Sequence, residues 1–164
     1  MIKIGITGQN GFVAKHLINE ISKRDDYKLI QFRRKYFEVP ELLEEFVSSC
    51  DVIFHLAAIN RHDSDDYIFE KNIGFAQKLI NALEVTDSKP HVIMSSSTQE
   101  QLDNPYGNSK KISRELFSKW AEENNSKFSG LIIPNVFGPN GKPFYNSFIA
   151  TFSHLLMNNE KPRF

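Results

Sequence analysis

A tyrosine and a lysine lie four residues apart in the segment 104–110, whose sequence is NPYGNSK. Asn104 can cap a helix, and Pro105 suits the first helical position. Tyr106 and Lys110 would then share one face of that helix. Because an ammonium group favours a nearby phenolate, Lys110 is expected to lower the pKa of Tyr106. Such a pair can move a proton near neutral pH, and an exposed pair without chemistry is the alternative.

A cluster of hydroxyl groups precedes this helix. The apolar run 91–94 predicts a buried strand, and Ser95, Ser96 and Ser97 follow it directly. Open α/β sheets bind ligands at the carboxyl ends of their parallel strands. The serines are therefore candidate substrate contacts, with a serine-rich loop cap as the alternative.

A glycine-rich corner follows the first predicted strand, residues 1–6, and leads into a predicted helix. Gly8 permits a tight turn, and Gly11 lets the backbone come close to a phosphate. The free N–H groups at the start of the helix then predict an anion site, and an ordinary glycine turn is the alternative. The predicted cofactor contacts in this corner are Gly8, Asn10, Gly11, Phe12 and Val13.

Two arginines follow the second predicted strand, residues 28–32. In a dinucleotide-binding fold the end of this strand faces the adenosine ribose. An acidic residue there would bind a 2′-hydroxyl, whereas the planar guanidinium group of arginine suits a 2′-phosphate. Arg33 and Arg34 therefore favour NADP(H) over NAD, unless they form a solvated basic loop.

The third predicted strand, residues 51–58, is apolar almost throughout, as a strand buried on both faces should be. His55 interrupts the run, and we interpret it as a hydrogen-bonded core histidine without a catalytic role. The strand ends in small residues, where a flat ring could lie against the backbone. The predicted cofactor contacts here are Leu56, Ala57 and Ala58.

Two polar residues lie between this strand and the next. Asn72 falls on or beside the apolar face of a helix predicted for 67–83, and it is a candidate cofactor-site residue. Since a buried amide needs hydrogen-bond partners, Asn72 would bridge strands or hold a water near the site. Arg61, in the polar stretch 59–66, is interpreted as a surface-loop arginine.

The composition describes one globular domain of 164 residues with 40% hydrophobic and 24% charged residues. Twenty basic and 20 acidic residues give a net charge of +0, which argues against a nucleic-acid or anionic-membrane surface. A single cysteine excludes an internal disulfide, and no apolar run is long enough for a membrane span. We expect a cytoplasmic protein without a metal site.

Strands and helices alternate along the whole chain, which predicts an α/β fold. The predicted architecture is a Rossmann-like doubly wound parallel sheet of about five strands with helices on both faces. Pro40 is predicted to open a helix, and the segment 34–50 is too short for both a strand and that helix. One strand of the usual dinucleotide-binding sheet is therefore expected to be missing.

The chain resembles an extended short-chain dehydrogenase/reductase of the NAD-dependent epimerase/dehydratase family, which acts on nucleotide sugars. The resemblance implies that Ser97 and Tyr106 hold the sugar oxygen, that Tyr106 passes the proton, and that Lys110 holds the nicotinamide ribose. It also implies that Asn135 contacts the nucleotide-sugar diphosphate. The matching stretches are TGQNGFV at 7–13, HLAA at 55–58, SSS at 95–97, PYGNSK at 105–110 and PNVFGP at 134–139.

Within this family the chain is similar to the reductase domain of capsular-polysaccharide enzymes. The similarity is carried by the short connection from Ser97 to Tyr106, by AINR at 58–61, and by YNSFIATF at 145–152. It implies NADPH-dependent reduction of a UDP-2-acetamido-2,6-dideoxy-4-keto sugar. An NAD-dependent epimerase or dehydratase and a catalytically silent cofactor-binding module are the alternatives, and the arginine pair favours the reductase.

Family members continue into a smaller domain that closes over the sugar. We therefore expect residues 1–164 to be a dinucleotide-binding domain that is truncated before the smaller domain. Such a chain would bind cofactor without turning over a nucleotide sugar. A homodimer is expected. A final helix is predicted for 145–157, and its apolar face would be left uncovered, which predicts self-association.

Overall fold

The computed structural model describes residues 1–162. Five strands alternate with five helices along the chain, and two short 3₁₀ helices lie at Arg34–Glu38 and Thr98–Gln101. The strands are β1 (Ile2–Thr7), β2 (Tyr27–Ile30), β3 (Val52–His55), β4 (His91–Ser97) and β5 (Phe128–Ile133). The helices are α1 (Phe12–Ile21), α2 (Pro40–Ser48), α3 (Asp65–Val85), α4 (Pro105–Glu123) and α5 (Phe148–Met157).

The strands form one sheet in the order β2-β1-β3-β4-β5. The register is parallel where β1 pairs with β2 and β3, and again where β3 pairs with β4. The chain winds outward to β2 on one side of β1 and then to β3 on the other side. Ligands of open α/β sheets bind where the strand order reverses, so the carboxyl ends of β1 and β3 mark the expected crevice. The predicted Rossmann-like fold is confirmed.

Each face of the sheet buries its own apolar cluster, because successive side chains of a strand point to opposite faces. On one face, Ile4 and Ile6 of β1 pack with α1 residues Ala14 and Ile21. The other face holds the larger cluster, which α2, α3 and α4 cover. Its fully buried members include Val47, Ile53, Leu79, Val92 and Phe117.

Several boundaries differ from the sequence-based predictions. β2 ends at Ile30, two residues early, and β3 ends at His55 instead of residue 58. α5 begins at Phe148, three residues later than predicted, because Ser147 caps it by accepting a hydrogen bond from Ala150 N. The predicted absence of a strand between β2 and α2 is confirmed, since a 3₁₀ helix occupies that segment.

The chain divides into two compact units, Met1–Ile132 and a second that starts at Ile133. The second unit contains α5, on which Phe148 is 57% and Leu156 59% exposed. No helix among residues 1–162 has the length and apolarity needed to cross a membrane. That part of the chain also has no grouping of three His, Cys, Asp or Glu side chains suited to a metal ion.

Candidate active site

The glycine corner after β1 packs directly against the loop that follows β3. Gly8 has a φ of +73°, and a Cβ there would lie 2.7 Å from Ala57 N and 2.9 Å from the Leu56 carbonyl carbon. Gly11 N donates a 2.9 Å hydrogen bond to Gly8 O, which closes the turn. Glycine meets both the backbone angle and the close contact. The fold therefore brings together two of the segments predicted to hold the cofactor.

Helix α1 begins without a side-chain cap. Gly11 is its N-cap residue, and no side chain bonds the N–H groups of the first turn. Because the first N–H groups of a helix have no partner within it, the start of α1 presents free donors at the positive end of the helix dipole. Three other helices are capped by side-chain oxygens, which belong to Ser64, Asn104 and Ser147.

Thr7 links the ends of β1 and β3. Its Oγ1 accepts a 3.2 Å hydrogen bond from Ala57 N and lies 3.1 Å from His55 Nδ1. His55 is 1% exposed, and burial, followed by the charge of Lys110, lowers its pKa to about 3. The structure thus shows the hydrogen-bonded core histidine that we inferred. Thr7 was missed, because a threonine at the end of a buried strand gives no signal of its own.

Gln9 joins the glycine corner to the segment after β2. Its Nε2 donates to the carbonyl oxygen of Phe32, whose ring is buried among those of Tyr36, Phe37 and Phe46. Arg33 follows directly and, like the next arginine, is exposed. Arg33 therefore directly follows Phe32, whose carbonyl oxygen is hydrogen-bonded to Gln9 of the glycine corner. Sequence reasoning missed Gln9 because its partner is 23 residues away.

Asn72 is 3% exposed and ties three elements together. Its Oδ1 accepts a 2.7 Å bond from Ile59 N, and its Nδ2 donates to Ile59 O at 2.9 Å and to Ser109 Oγ at 3.0 Å. Both amide donors are therefore used within the chain. The observed contacts make Asn72 a brace between α3, α4 and the loop after β3, and its predicted contact with the cofactor stays a prediction.

The serines at the end of β4 have different surroundings. Ser96 is buried, and its Oγ donates to the carboxylate of Glu100, while its predicted substrate contact stays a prediction. The alternation of side chains along a strand turns Ser96 to the buried face. Ser97 is half-buried at the strand end, where its Oγ caps the second 3₁₀ helix by accepting a 3.2 Å bond from Gln99 N.

Tyr106 lies in the first turn of α4, whose start packs tightly on the second 3₁₀ helix. Asn104 caps α4 as predicted, since its Oδ1 accepts a 2.7 Å bond from Gly107 N. A Cβ on Gly107 would clash with the Gln99 backbone, 2.7 Å from its carbonyl carbon. Burial raises the pKa of Tyr106. The predicted lowering of this pKa by Lys110 is wrong, because burial removes hydration that the phenolate needs.

Lys110 is 2% exposed, and no partner within residues 1–162 forms a hydrogen bond or ion pair with its Nζ. Burial lowers its pKa to about 8, opposed by the negative charge of Glu100. Burying a lysine to this extent is costly, and groups whose pKa burial has shifted concentrate at functional sites. The sequence predicted this residue as functional, and its burial is what the structure adds.

Asn135, the predicted contact for the diphosphate of the nucleotide sugar, is exposed in the second unit. Its role stays a prediction. The other predicted site residues belong to the first unit and follow β1, β2, β3 and β4 or lie on α3 and α4. Ala58, Val13 and Asn10 are exposed, and Phe12 is half-buried with its ring 4.7 Å from that of His16.

Comparisons with known proteins agree with this arrangement. The chain is 31% identical, over 158 residues, to a UDP-2-acetamido-2,6-beta-L-arabino-hexul-4-ose reductase from Pseudomonas aeruginosa. The match covers 96% of this chain and 42% of that protein. A crystal structure of the capsular polysaccharide assembling protein CapF from Staphylococcus aureus is 32% identical with a TM-score of 0.79, covering 99% of this chain and 42% of that one.

A more distant structure shares the fold. RMD from Pseudomonas aeruginosa, complexed with NADPH, is 21% identical with a TM-score of 0.77, and the match covers 88% of this chain and 58% of that one. The chain thus spans less than half the length of the similar reductase and of CapF. The pattern of the NAD dependent epimerase/dehydratase family matches residues 4–163. The chain therefore belongs to the NAD dependent epimerase/dehydratase family.

Proposed function

We propose that this chain is the cofactor-binding part of an NADPH-dependent reductase that acts on a 4-keto nucleotide sugar. The observation that carries the proposal is Lys110, a lysine that is only 2% exposed and lies one helical turn from Tyr106. A UDP-2-acetamido-2,6-dideoxy-hexos-4-ulose is the proposed substrate. The support for that choice is the similarity to the reductase from Pseudomonas aeruginosa.

The residues fit a dinucleotide. The uncapped start of α1 offers N–H donors for the diphosphate, Gly8 lets the turn pack against Ala57, and Gly11 places no side chain over the donors. Arg33 and Arg34 would neutralise a 2′-phosphate, and Ala57 and Ala58 would lie against a flat ring. Bound NADPH would supply a hydride to the ketone carbon of the sugar.

The chain's own residues would then deliver the proton. The raised pKa of Tyr106 keeps its phenol protonated at neutral pH, as a general acid for the forming alkoxide must be. Ser97 would donate a hydrogen bond to the same oxygen, and Lys110 would hold the nicotinamide ribose. General acid catalysis of this kind contributes about 10²–10⁴-fold to the rate.

The proposal is tested first by the choice of cofactor. Calorimetry should give tighter binding of NADPH than of NADH, because the two arginines act only on the 2′-phosphate. The double variant Arg33→Ala/Arg34→Ala should lose this preference. Arg24→Ala is the matched control, an exposed arginine that pairs with Asp26 at 3.2 Å. Equal affinity for both nucleotides in the unaltered chain contradicts the proposal, and tightly retained NAD favours the epimerase or dehydratase alternative.

A second test concerns the proton. In the longest native protein that contains this chain, Tyr106→Phe should reduce hydride transfer to the 4-keto sugar by about 10²-fold or more and leave NADPH binding unchanged. Loss of nicotinamide absorbance measures the transfer. An unchanged rate would move the acid to another group, with Ser97 the first to examine.

We further propose a cytoplasmic homodimer that serves capsular or surface polysaccharide synthesis. The similarity to the capsular polysaccharide assembling protein supports the pathway, and the exposed Phe148 and Leu156 on α5 support self-association. Analytical ultracentrifugation should find a dimer. A monomer at all accessible concentrations contradicts this part of the proposal.

A further inference from the structure

A buried carboxylate links the end of β4 to the middle of α4. Arg114 donates to both oxygens of Glu100, from Nε at 2.9 and 3.1 Å and from Nη2 at 2.7 Å. Ser96 Oγ donates to the same carboxylate. The side chain of Glu100 is only 7% exposed, whereas those of the surface pair Lys119 and Glu123 are 71% and 59% exposed.

The path of Arg114 depends on a glycine in the sheet. A Cβ on Gly130 of β5 would lie 2.6 Å from Arg114 Cδ and 2.8 Å from its Cγ. The missing side chain therefore leaves the space through which the stem of Arg114 passes to reach Glu100. An ion pair that needs a glycine on one strand and a serine on the next is a built feature, which distinguishes it from chance surface pairs.

The same carboxylate also acts on the proposed active site. Tyr106, Lys110 and Arg114 are spaced by four residues and so follow one face of α4. The charge of Glu100 raises the pKa of Lys110, opposing the effect of burial. Arg114, then Ser96 and Lys110, lower the pKa of Glu100 itself, so the carboxylate stays ionised at neutral pH.

We propose that Glu100 is a positioning residue that fixes the turn carrying Ser97 and places a negative charge beside Lys110, with Arg114 and Ser96 holding its carboxylate in place. The inference rests on the proposed function, because it assigns Glu100 a purpose through Lys110 and Ser97. Glu100 does not touch the reacting atoms in this account. Its effect passes through the charge state of one residue and the position of another.

The charged groups around the pair are few. Lys110 is faced by Glu100 from the second 3₁₀ helix and by the neutral His55 from β3, and Tyr106 lies one turn away on its own helix. Glu100 is faced by Arg114 and Lys110, and the negative charge of Glu115 also acts on Arg114. Of these groups, Glu100 supplies the negative charge that acts on Lys110. Removing that charge should therefore lower the pKa of Lys110.

The decisive variant is Glu100→Gln, which keeps the size of the side chain and can still accept hydrogen bonds from Ser96 and Arg114. Without the carboxylate charge, Lys110 should release its proton at lower pH. The ¹³Cε resonance of Lys110, assigned with Lys110→Arg and followed against pH without cofactor, measures this directly. The control is Glu123→Gln, which removes a carboxylate from the exposed pair and should not move the midpoint.

A second variant separates charge from clamping. Arg114→Met leaves the Glu100 charge and removes the group that holds it, so the rate of hydride transfer should fall as the Ser97 turn loosens, and an unchanged rate would contradict the role of the clamp. If Glu100→Gln does not fold, Glu100→Asp keeps the charge on a shorter stem and should retain the native Lys110 midpoint. A lowered midpoint in Glu100→Asp would contradict a role for the carboxylate charge.

NADPH affinity against pH then connects the result to function. In Glu100→Gln the loss of affinity with rising pH should begin at lower pH, together with the Lys110 titration. An unchanged Lys110 midpoint with normal NADPH binding overturns the inference and leaves the proposed function standing. A lowered midpoint in a chain that never binds NADPH supports the link between Glu100 and Lys110 and overturns the proposed function.

Discussion

Two corners of the first unit lie at the carboxyl edge of the same sheet and differ in how their polar groups are used. At the corner after β1, Gly11 leaves the start of α1 without a side-chain cap, and the backbone is exposed. At the corner after β4, Asn104 caps α4 and Glu100 bonds to Arg114. The first corner keeps its donors for a ligand, whereas the second uses its donors to hold residues in place.

The difference separates two requirements of the proposed reaction. A diphosphate needs unsatisfied N–H groups that it can reach, and these cost little while water can solvate them. A proton donor needs a fixed position, because misplacement by about 1 Å can cost about 10²-fold in rate. An open corner and a braced corner are therefore expected side by side in one site.

A large effect should come from acid, through the buried histidine between the two corners. His55 stays neutral in the folded chain to a pKa of about 3 but takes up a proton near pH 6.5 when unfolded. The unfolded state therefore binds more protons as the pH falls below 6.5, and stability is lost. Between pH 6.5 and 4.5 the loss should be about 2–3 kcal/mol. Urea unfolding measures it, and His55→Gln should remove the dependence.

A single added methyl group at the braced corner, the one after β4, should destabilise the protein. Gly107→Ala forces the second 3₁₀ helix away from α4, because the new Cβ would overlap the Gln99 backbone. The expected loss in the free energy of unfolding is about 3 kcal/mol, since overpacking against rigid backbone lies at the upper end of its range. Thermal unfolding by circular dichroism gives the value. A variant as stable as the unaltered chain would show that the corner is loose.

Removing the charge of Lys110 should stabilise the protein at neutral pH. Lys110 releases its proton near pH 8 when folded and near 10.5 when unfolded, so its burial is unfavourable at pH 7 and harmless above pH 10.5. Lys110→Met should raise the free energy of unfolding at pH 7 by about 2–3 kcal/mol, and the gain should vanish as the pH rises toward 10.5.

Urea unfolding at pH 7 and pH 10 checks the sign of this effect. Lys111→Met is the matched control, because Lys111 is the next residue and is exposed. If Lys110→Met and the unaltered chain were equally stable at pH 7, burial would not destabilise the charged form of Lys110, and the prediction would be wrong.

The same methyl group at the open corner, the one after β1, should weaken NADPH binding and have a much smaller effect on the free energy of unfolding. In Gly11→Ala the new Cβ would lie 3.2 Å from Gly8 O, a contact that a small shift relieves. We expect a stability loss below about 1 kcal/mol and NADPH binding weakened by about tenfold or more, equivalent to about 1.4 kcal/mol. Calorimetry with NADPH measures the binding. If Gly11→Ala lost stability as Gly107→Ala does, the contrast between the corners would disappear.

A helical glycine away from both corners sets the smallest effect. Gly74 lies inside α3, and a Cβ there meets no atom within 4 Å. Gly74→Ala should therefore raise stability by about 0.5–1 kcal/mol, because alanine restricts the unfolded chain and favours the helix. Its thermal unfolding, run beside that of Gly107→Ala, shows what alanine does where space is free.

Much of the site could be predicted where the signal is local. Gly8 and Gly11 predicted the turn into α1, and Asn104 with Pro105 predicted the start of α4, because turn and cap preferences act over a few residues. The internal partner of Ser96 could not be predicted in this way. Its neighbours in sequence are serines, but its partner is Glu100, and the strand pleat that turns it inward is a property of the sheet.

What the sequence by itself determined is the order of strands and helices, the family, and the residues that can do chemistry, since periodicity, caps and glycines act along the chain. Only the tertiary structure decided the state of those residues. It buried Lys110 and Tyr106, which moved the pKa of each away from its usual value, and it joined Glu100 to Arg114 across 14 residues. Hydration and Coulomb energies depend on distances in space, so no local pattern in the sequence carries their sign.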